Sequence, residues 1–247
     1  MRWPLIISGF VLFYLVALVA LTPARFVIQF VDLPDNVQLG GVQGRLWQGQ
    51  VDAVRVDDIL LRDVRWSLQP WQLLTARAVA KVHIGEHADN IVVGDALLSV
   101  SRNQMVVRDL RADARLVDLM AFSPTPSPFP LRGHADLEIA YFELGQPLCR
   151  ELDGWVRLHD GAIQVANDWE ELGSYQARLT CGDDGQVLAE LDSDNRLGLS
   201  ASAQLNLAGA SGEFQLQPPS DAPRSVRTIV QFLPDQAQQR QRFNVRF

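Results

Sequence analysis

Leu197-Gly198-Leu199-Ser200-Ala201-Ser202-Ala203-Gln204-Leu205-Asn206-Leu207 alternates apolar and polar residues over its whole length. Successive side chains of an extended chain point to opposite sides, so this period of two puts Leu199, Ala201, Ala203 and Leu205 on one face. Ser200, Ser202 and Gln204 take the other. That is a half-buried antiparallel strand, one face in a core and one in water. Working outward, the same period governs Asp63 to Leu68, Ala76 to Ile84, Asp136 to Tyr141 and Arg242 to Phe247. Gly40-Gly41, Asp160-Gly161, Asp184-Gly185 and Asp194-Asn195 read as turns between such runs. Helical signals are few. Arg115 to Phe122 predicts one short helix, and Pro223 to Leu233, with Pro234 just beyond, predicts another. Ser123 to Pro130 carries four prolines and is neither helix nor central strand.

The N-terminus follows a different rule. Trp3 to Ala24 contains no charged residue, and Leu5 to Leu21 is apolar apart from Ser8, Gly9 and Tyr14. Twenty residues of helix rise about 30 Å, the thickness of a bilayer's hydrocarbon core. Arg2 and the α-amino group precede the span and Arg25 follows it, which favours a cytoplasmic N-terminus. A cleaved signal peptide is the competing reading. Its apolar stretch would be long for that class, and Pro23 in Thr22-Pro23-Ala24 disfavours processing. The fold expected is therefore mainly β: a single transmembrane helix, then a large antiparallel, twisted or folded-over sheet with one or two short helices. Residues 1–25 form the cytoplasmic tip and anchor, 26–122 a first periplasmic β half, 123–130 a proline-rich linker and 131–247 a second β half.

Composition narrows the function. The 22 Lys and Arg against 29 Asp and Glu leave a formal charge of −7, without the basic face that nucleic-acid binding needs. Lys81 is the only lysine, and there is no polybasic tract. Cys149 and Cys181 fall in the portion expected to face an oxidising compartment, so they read first as a disulfide, with two buried thiols as the alternative.

His83-Ile84-Gly85-Glu86-His87 has the spacing of an H-x-x-E-H zinc motif, which works when a helix places both histidines on one face. Here it follows a strand run, where positions four apart lie about 13 Å distant, too far to share one ion. Solvated turn residues are the expectation. No nucleophile elbow and no phosphate-binding glycine loop opening a helix is present. Asp57-Asp58 and Asp183-Asp184 sit in expected turns. No catalytic, cofactor or metal site is therefore assigned. Trp47, Trp66, Trp71 and Trp155 read as anchors of a sheet, with a greasy groove for a peptide, a partner strand or an acyl chain as the alternative.

Gly41-Val42-Gln43-Gly44-Arg45-Leu46-Trp47-Gln48-Gly49, followed by Val64 to Trp71, resembles the signature of the type II secretion system protein N family. Its structural positions here are Gly41, Gly44, Leu46, Trp47, Gly49, Trp66, Leu68 and Pro70. Cys149 with Gly154-Trp155, and Cys181-Gly182-Asp183, extend the resemblance through the second half. It implies a non-enzymatic accessory component of the inner membrane that binds other secretion components. The same elements are similar to those of AsmA-like periplasmic β proteins, which implies a lipid or another hydrophobic ligand as the alternative partner.

Overall fold

The computed structural model describes residues 3, 7, 10, 13, 14, 17, 18, 20–29, 36–57, 59–87, 89–120, 130–165, 167–220 and 241–246. The chain divides into two compact units, Met1–Arg102 and Asn103–Phe247.

In the first unit a short helix, α1 (Ala24–Ile28), starts after Pro23, whose fixed φ suits a helix entrance. Five antiparallel strands follow in a meander: β1 (Val37–Arg45), β2 (Gln48–Val56), β3 (Ile59–Leu68), β4 (Arg77–Ile84) and β5 (Val92–Ser101). Each pairs with its chain neighbour, as short connections favour. A 3-10 helix, Pro70–Thr75, joins β3 to β4; Pro70 opens it and Ala76 closes it in a left-handed conformation.

The second unit holds eight strands, each paired with its chain neighbour within the unit: β6 (Met105–Arg115), β7 (Leu131–Leu144), β8 (Cys149–Val165), β9 (Asp168–Cys181), β10 (Val187–Leu191), β11 (Leu199–Asn206), β12 (Gly209–Leu216) and β13 (Gln241–Arg246). Between β6 and β7 lies α2 (Leu116–Met120), inside the stretch expected to be helical. Register carries one apolar row across seven strands: Ala112, Leu137, Val156, Ala177, Leu191, Ala201 and Phe214.

The mainly β, antiparallel expectation holds, with two corrections inside it. Gly40-Gly41 and Asp160-Gly161 are not turns but lie within β1 and β8. Both strands absorb a left-handed residue mid-course, Gly41 at φ 71° and Asp160 at φ 50°. Asp184-Gly185 and Asp194-Asn195 do connect strands.

Three expectations fall on residues outside those described. They are the helix over 223–233, the proline-rich stretch apart from Pro130, and ten of the 22 residues of the apolar segment 3–24. Among the described residues no helix is long and apolar enough to cross a membrane.

Candidate interaction surface

The glycine and tryptophan elements of the first unit converge on one hairpin. β1 and β2 are joined by the two-residue turn Leu46-Trp47, with Arg45 opposite Gln48 and Gly44 opposite Gly49. Gly49 faces Trp66 on β3, and Trp66 faces Val82 on β4. The indole lies across Gly49: a Cβ built there would stand 2.4 Å from Trp66 Cζ2 and 2.5 Å from the Gln43 carbonyl oxygen. Gly44 holds φ +91°, a conformation L side chains rarely adopt. Trp66 Nε1 donates to the Leu46 carbonyl at 3.0 Å, so the ring also holds the hairpin turn.

Backbone bonds complete the clasp. Leu68 N donates to Trp47 O at 2.7 Å, and Gln69 N to Val79 O at 2.8 Å. Leu46 N donates to Thr22 O at 3.1 Å, and Pro23 bridges Arg45, so the chain leaving the N-terminal segment is tied to this turn. The motif residues Gly44, Leu46, Trp47, Gly49, Trp66, Leu68 and Pro70 thus meet at one end of the sheet. Gly41 lies farther along β1 beside Asp52.

The opposite face carries a polar row across the five strands: Gln43, Gln50, Arg65, His83 and Asp95. His83 Nδ1 meets Asp95 Oδ1 at 3.0 Å, Lys81 Nζ approaches the same oxygen at 3.8 Å, and Arg65 pairs with Asp63 at 2.8 Å. A shallow depression of about 430 Å³ is lined by Gln48, Gln50, Arg65, Ser67, Lys81 and His83 among others. His87 lies beyond β4 and approaches Asp89, so the two histidines engage different carboxylates. Among the described residues no group of three or more His, Cys, Asp or Glu is arranged to hold a metal.

In the second unit Arg157 on β8 bonds Glu138 Oε2 at 2.8 Å and Asp136 Oδ2 at 3.4 Å, both on β7. The bond to Glu138 raises the Arg157 pKa above its ordinary value, against the opposing effect of burial, and Asp136 adds to it. Glu143 is buried yet charged-group rich in partners: Tyr141 Oη donates at 3.0 Å, Arg150 Nη1 at 2.7 Å and Gln104 Nε2 at 3.2 Å. Burial alone would push its carboxyl up; the bonds from Tyr141, Gln104 and Arg150 together outweigh that and hold it below the ordinary glutamate range. Burial also lifts the Tyr175 phenol to about 12. Cys149, 2% exposed, is disulfide-bonded to Cys181 with Cα atoms 6.1 Å apart.

Period-two reading missed three features. Val79 is buried on the β4 face that also carries Arg77, Lys81 and His83. The 3-10 helix, which starts at the motif's Pro70-Trp71, packs on that strand and leaves Trp71 80% exposed, so Trp71 is not an anchor of the sheet. Asn90, also buried, substitutes for a strand partner where β4 ends: its Oδ1 accepts Arg62 N–H at 2.6 Å, and its Nδ2 donates to Arg62 O and Gly85 O at 2.9 and 2.7 Å. Its position in the loop after His87 carries no signal of that role.

The arrangement contains charge pairs, a stapled sheet and one apolar row whose Val156 and Phe214 stay partly exposed. The family model described as "Type II secretion system (T2SS), protein N" matches residues 35–246. A type II secretion system protein N from Vibrio cholerae serotype O1 is 24% identical over 218 residues, covering 86% of this chain and 84% of that one. Another from Aeromonas hydrophila is 30% identical over 190 residues, covering 76% and 74%. No solved structure matches. With the match running from before β1 to the last strand and taking in the whole Gly44–Trp66 clasp, the chain belongs to the type II secretion system protein N family.

Proposed function

We propose that the chain is a membrane-anchored assembly factor of the type II secretion system, fixed in the bacterial inner membrane by residues 3–24, with its N-terminus cytoplasmic and its sheets periplasmic. It works by docking other secretion components and carries no catalytic centre. Family membership supports the secretion role. The anchor is supported by residues 3–21, which are helical where described and carry bare apolar side chains: Trp3, Phe10 and Phe13 are 80%, 74% and 70% exposed.

The observation that carries docking is the edge of the first unit. Among the described residues β1 pairs with β2 on one side and, on the other, makes only the Pro23–Arg45 bridge. Such an edge offers unpaired N–H and C=O groups for strand addition by a partner. Aspartates placed at exposed Gln38 and Gly40 on β1 should abolish cargo export, while an unrelated anchor in place of residues 3–24 should preserve part of it. Full export after edge disruption would refute docking through β1.

One observation favours a second reading, a carrier of lipid or another hydrophobic ligand. On the apolar row of the second unit Val156 and Phe214 remain 37% and 39% exposed. Phospholipid adducts from a photoreactive group at Val156 in intact cells, without protein adducts from β1, would move the function to that class.

A further inference from the structure

We propose that one end of the first unit rests on an anionic phospholipid surface, with Trp71 and Leu74 inserted at the level of the headgroups and nearby arginines paired with lipid phosphates. This rests on the reading of residues 3–24 as a membrane anchor and adds a second, surface-bound contact to it.

The meander fixes which residues share that end. β1 stops at Arg45 and β2 starts at Gln48; β3 stops at Leu68 and β4 starts at Arg77; β5 stops at Ser101. The Leu46-Trp47 turn, the 3-10 helix Pro70–Thr75 and Arg102 therefore lie at one end. The chain leaving residues 3–24 arrives at the same end, because Thr22 O accepts the Leu46 N–H and Pro23 bridges Arg45. If the anchor spans a bilayer, this end is the one held against it.

Its surface has the chemistry of a membrane interface. Trp71 is 80% exposed and Leu74 is 84% exposed, side by side on a short helix that begins with proline. Tryptophan favours the headgroup level, where its ring is half apolar and half polar, and exposed apolar groups beside cations mark membrane-surface sites. Residues 22–29, 43–50, 66–79 and 97–102 contain no Asp or Glu, but contribute Arg25, Arg45, Arg77 and Arg102, all exposed. Among the described residues none of these four is in an ion pair. The carboxylates sit elsewhere: Asp57, Glu86 and Asp89 occupy the connections at the far end. The first unit is thus polarised along its strands, cationic and greasy toward the anchor and acidic away from it. A protein partner would leave the match between the anchor's exit point and this charge distribution without a cause. An anionic bilayer accounts for both.

The test places a photoreactive benzophenone residue at position 74, 10 or 86 of the full chain reconstituted in phosphatidylethanolamine–phosphatidylglycerol vesicles, and counts lipid adducts by mass spectrometry. Lipid adducts at positions 74 and 10, and none at 86, are expected. Replacing Arg45 and Arg77 by glutamine should lower the yield at 74 by up to about fivefold for each arginine, and should leave position 10 unchanged. Adducts at position 10 without any at 74 would overturn the surface contact and leave the anchor intact. Adducts at neither would overturn the anchor reading itself. Protein adducts at 74, to a second copy, would assign this end to self-association and equally overturn the lipid contact.

Discussion

Replacing Gly49 by alanine tests whether the clasp is a matter of space or of composition alone. The new methyl would stand 2.4 and 2.6 Å from two Trp66 ring carbons and 2.5 Å from the Gln43 carbonyl oxygen, all inside contact distance. Overpacking of this kind costs about 1–3 kcal/mol. If the ring moves aside it also gives up the 3.0 Å bond to Leu46 O, about 1 kcal/mol more. The total, about 2–4 kcal/mol, corresponds to a fall in melting temperature of roughly 4–16 °C for a chain of this size. The informative comparison is the same substitution beside Trp66→Ala. With the ring gone, two of the three nearest contacts of the methyl vanish and the Gln43 oxygen remains, so Gly49→Ala should cost at least about 1 kcal/mol less there. Additive changes agree within about 0.3–0.5 kcal/mol, which makes that difference measurable. The assay is thermal melting of the full chain in detergent micelles, followed by far-ultraviolet circular dichroism, for the four members of the cycle. Equal costs in both backgrounds, or no cost in the first, would refute the argument that Trp66 owes its position to the glycine beneath it.

Other expectations follow from single sites. Opening the Cys149–Cys181 bridge, by Cys149→Ser with Cys181→Ser, releases a loop of 32 residues and should destabilise the chain by about 3–4 kcal/mol in the chain-entropy account; denaturant titration with and without reductant measures it, and an unchanged midpoint would be inconsistent. Asn90→Ala strips three hydrogen bonds from the Arg62 and Gly85 backbone and should cost about 2–4 kcal/mol, with faster amide exchange at Arg62 as the local readout. Because the folded Glu143 pKa is depressed, its contribution to stability is present above the ordinary glutamate value and lost as pH falls through the folded one; Glu143→Gln should flatten the acid limb of a stability-versus-pH curve. Tyr175 has the opposite sign: with its folded pKa raised to about 12, its contribution is present below the unfolded value near 10 and lost as pH rises toward 12. Tyr175→Phe should remove that alkaline loss, and an unaltered alkaline melting profile would count against it.

Strand existence was legible in the sequence wherever alternation was undisturbed, as from Leu199 to Asn206, because burial of one sheet face imposes period two on the residues themselves. It failed where a strand carries a left-handed residue. Gly40-Gly41 and Asp160-Gly161 have the composition of a hairpin turn, and nothing local distinguishes a turn from a kink inside a long strand. Pairing across the sheet decides that, and pairing is not local. The same limit hid Asn90, whose side chain acts as a strand edge only because β4 stops at Ile84 while β3 continues back to Ile59. The disulfide was legible from the two cysteines and their expected compartment. The full set of Glu143 partners was not: Tyr141 is two residues away on the same strand, but Gln104 and Arg150 come from neighbouring strands or loops that only pairing brings together.

The Gly-x-x-Gly-x-Leu-Trp-x-Gly and Trp-x-Leu-x-Pro elements look in sequence like two signatures, but the structure makes them one device. Antiparallel register sets Gly44, Gly49 and Trp66 in a single line across three strands, so the two glycines supply the floor and the tryptophan the lid. Two residues later on the same strand, Leu68 directs its N–H to the Trp47 carbonyl, and after one more residue Pro70 opens the 3-10 helix. The spacing within each element is therefore dictated by strand geometry, while the gap between them is the length of β2 and its return. A change in that length would move Trp66 off Gly49 and break its bond to Leu46. What the clasp holds in place is the turn that ties Thr22 and Pro23 to the sheet. A motif with no chemistry of its own can matter structurally in this way: it fixes how the chain at Thr22 and Pro23 joins the sheet.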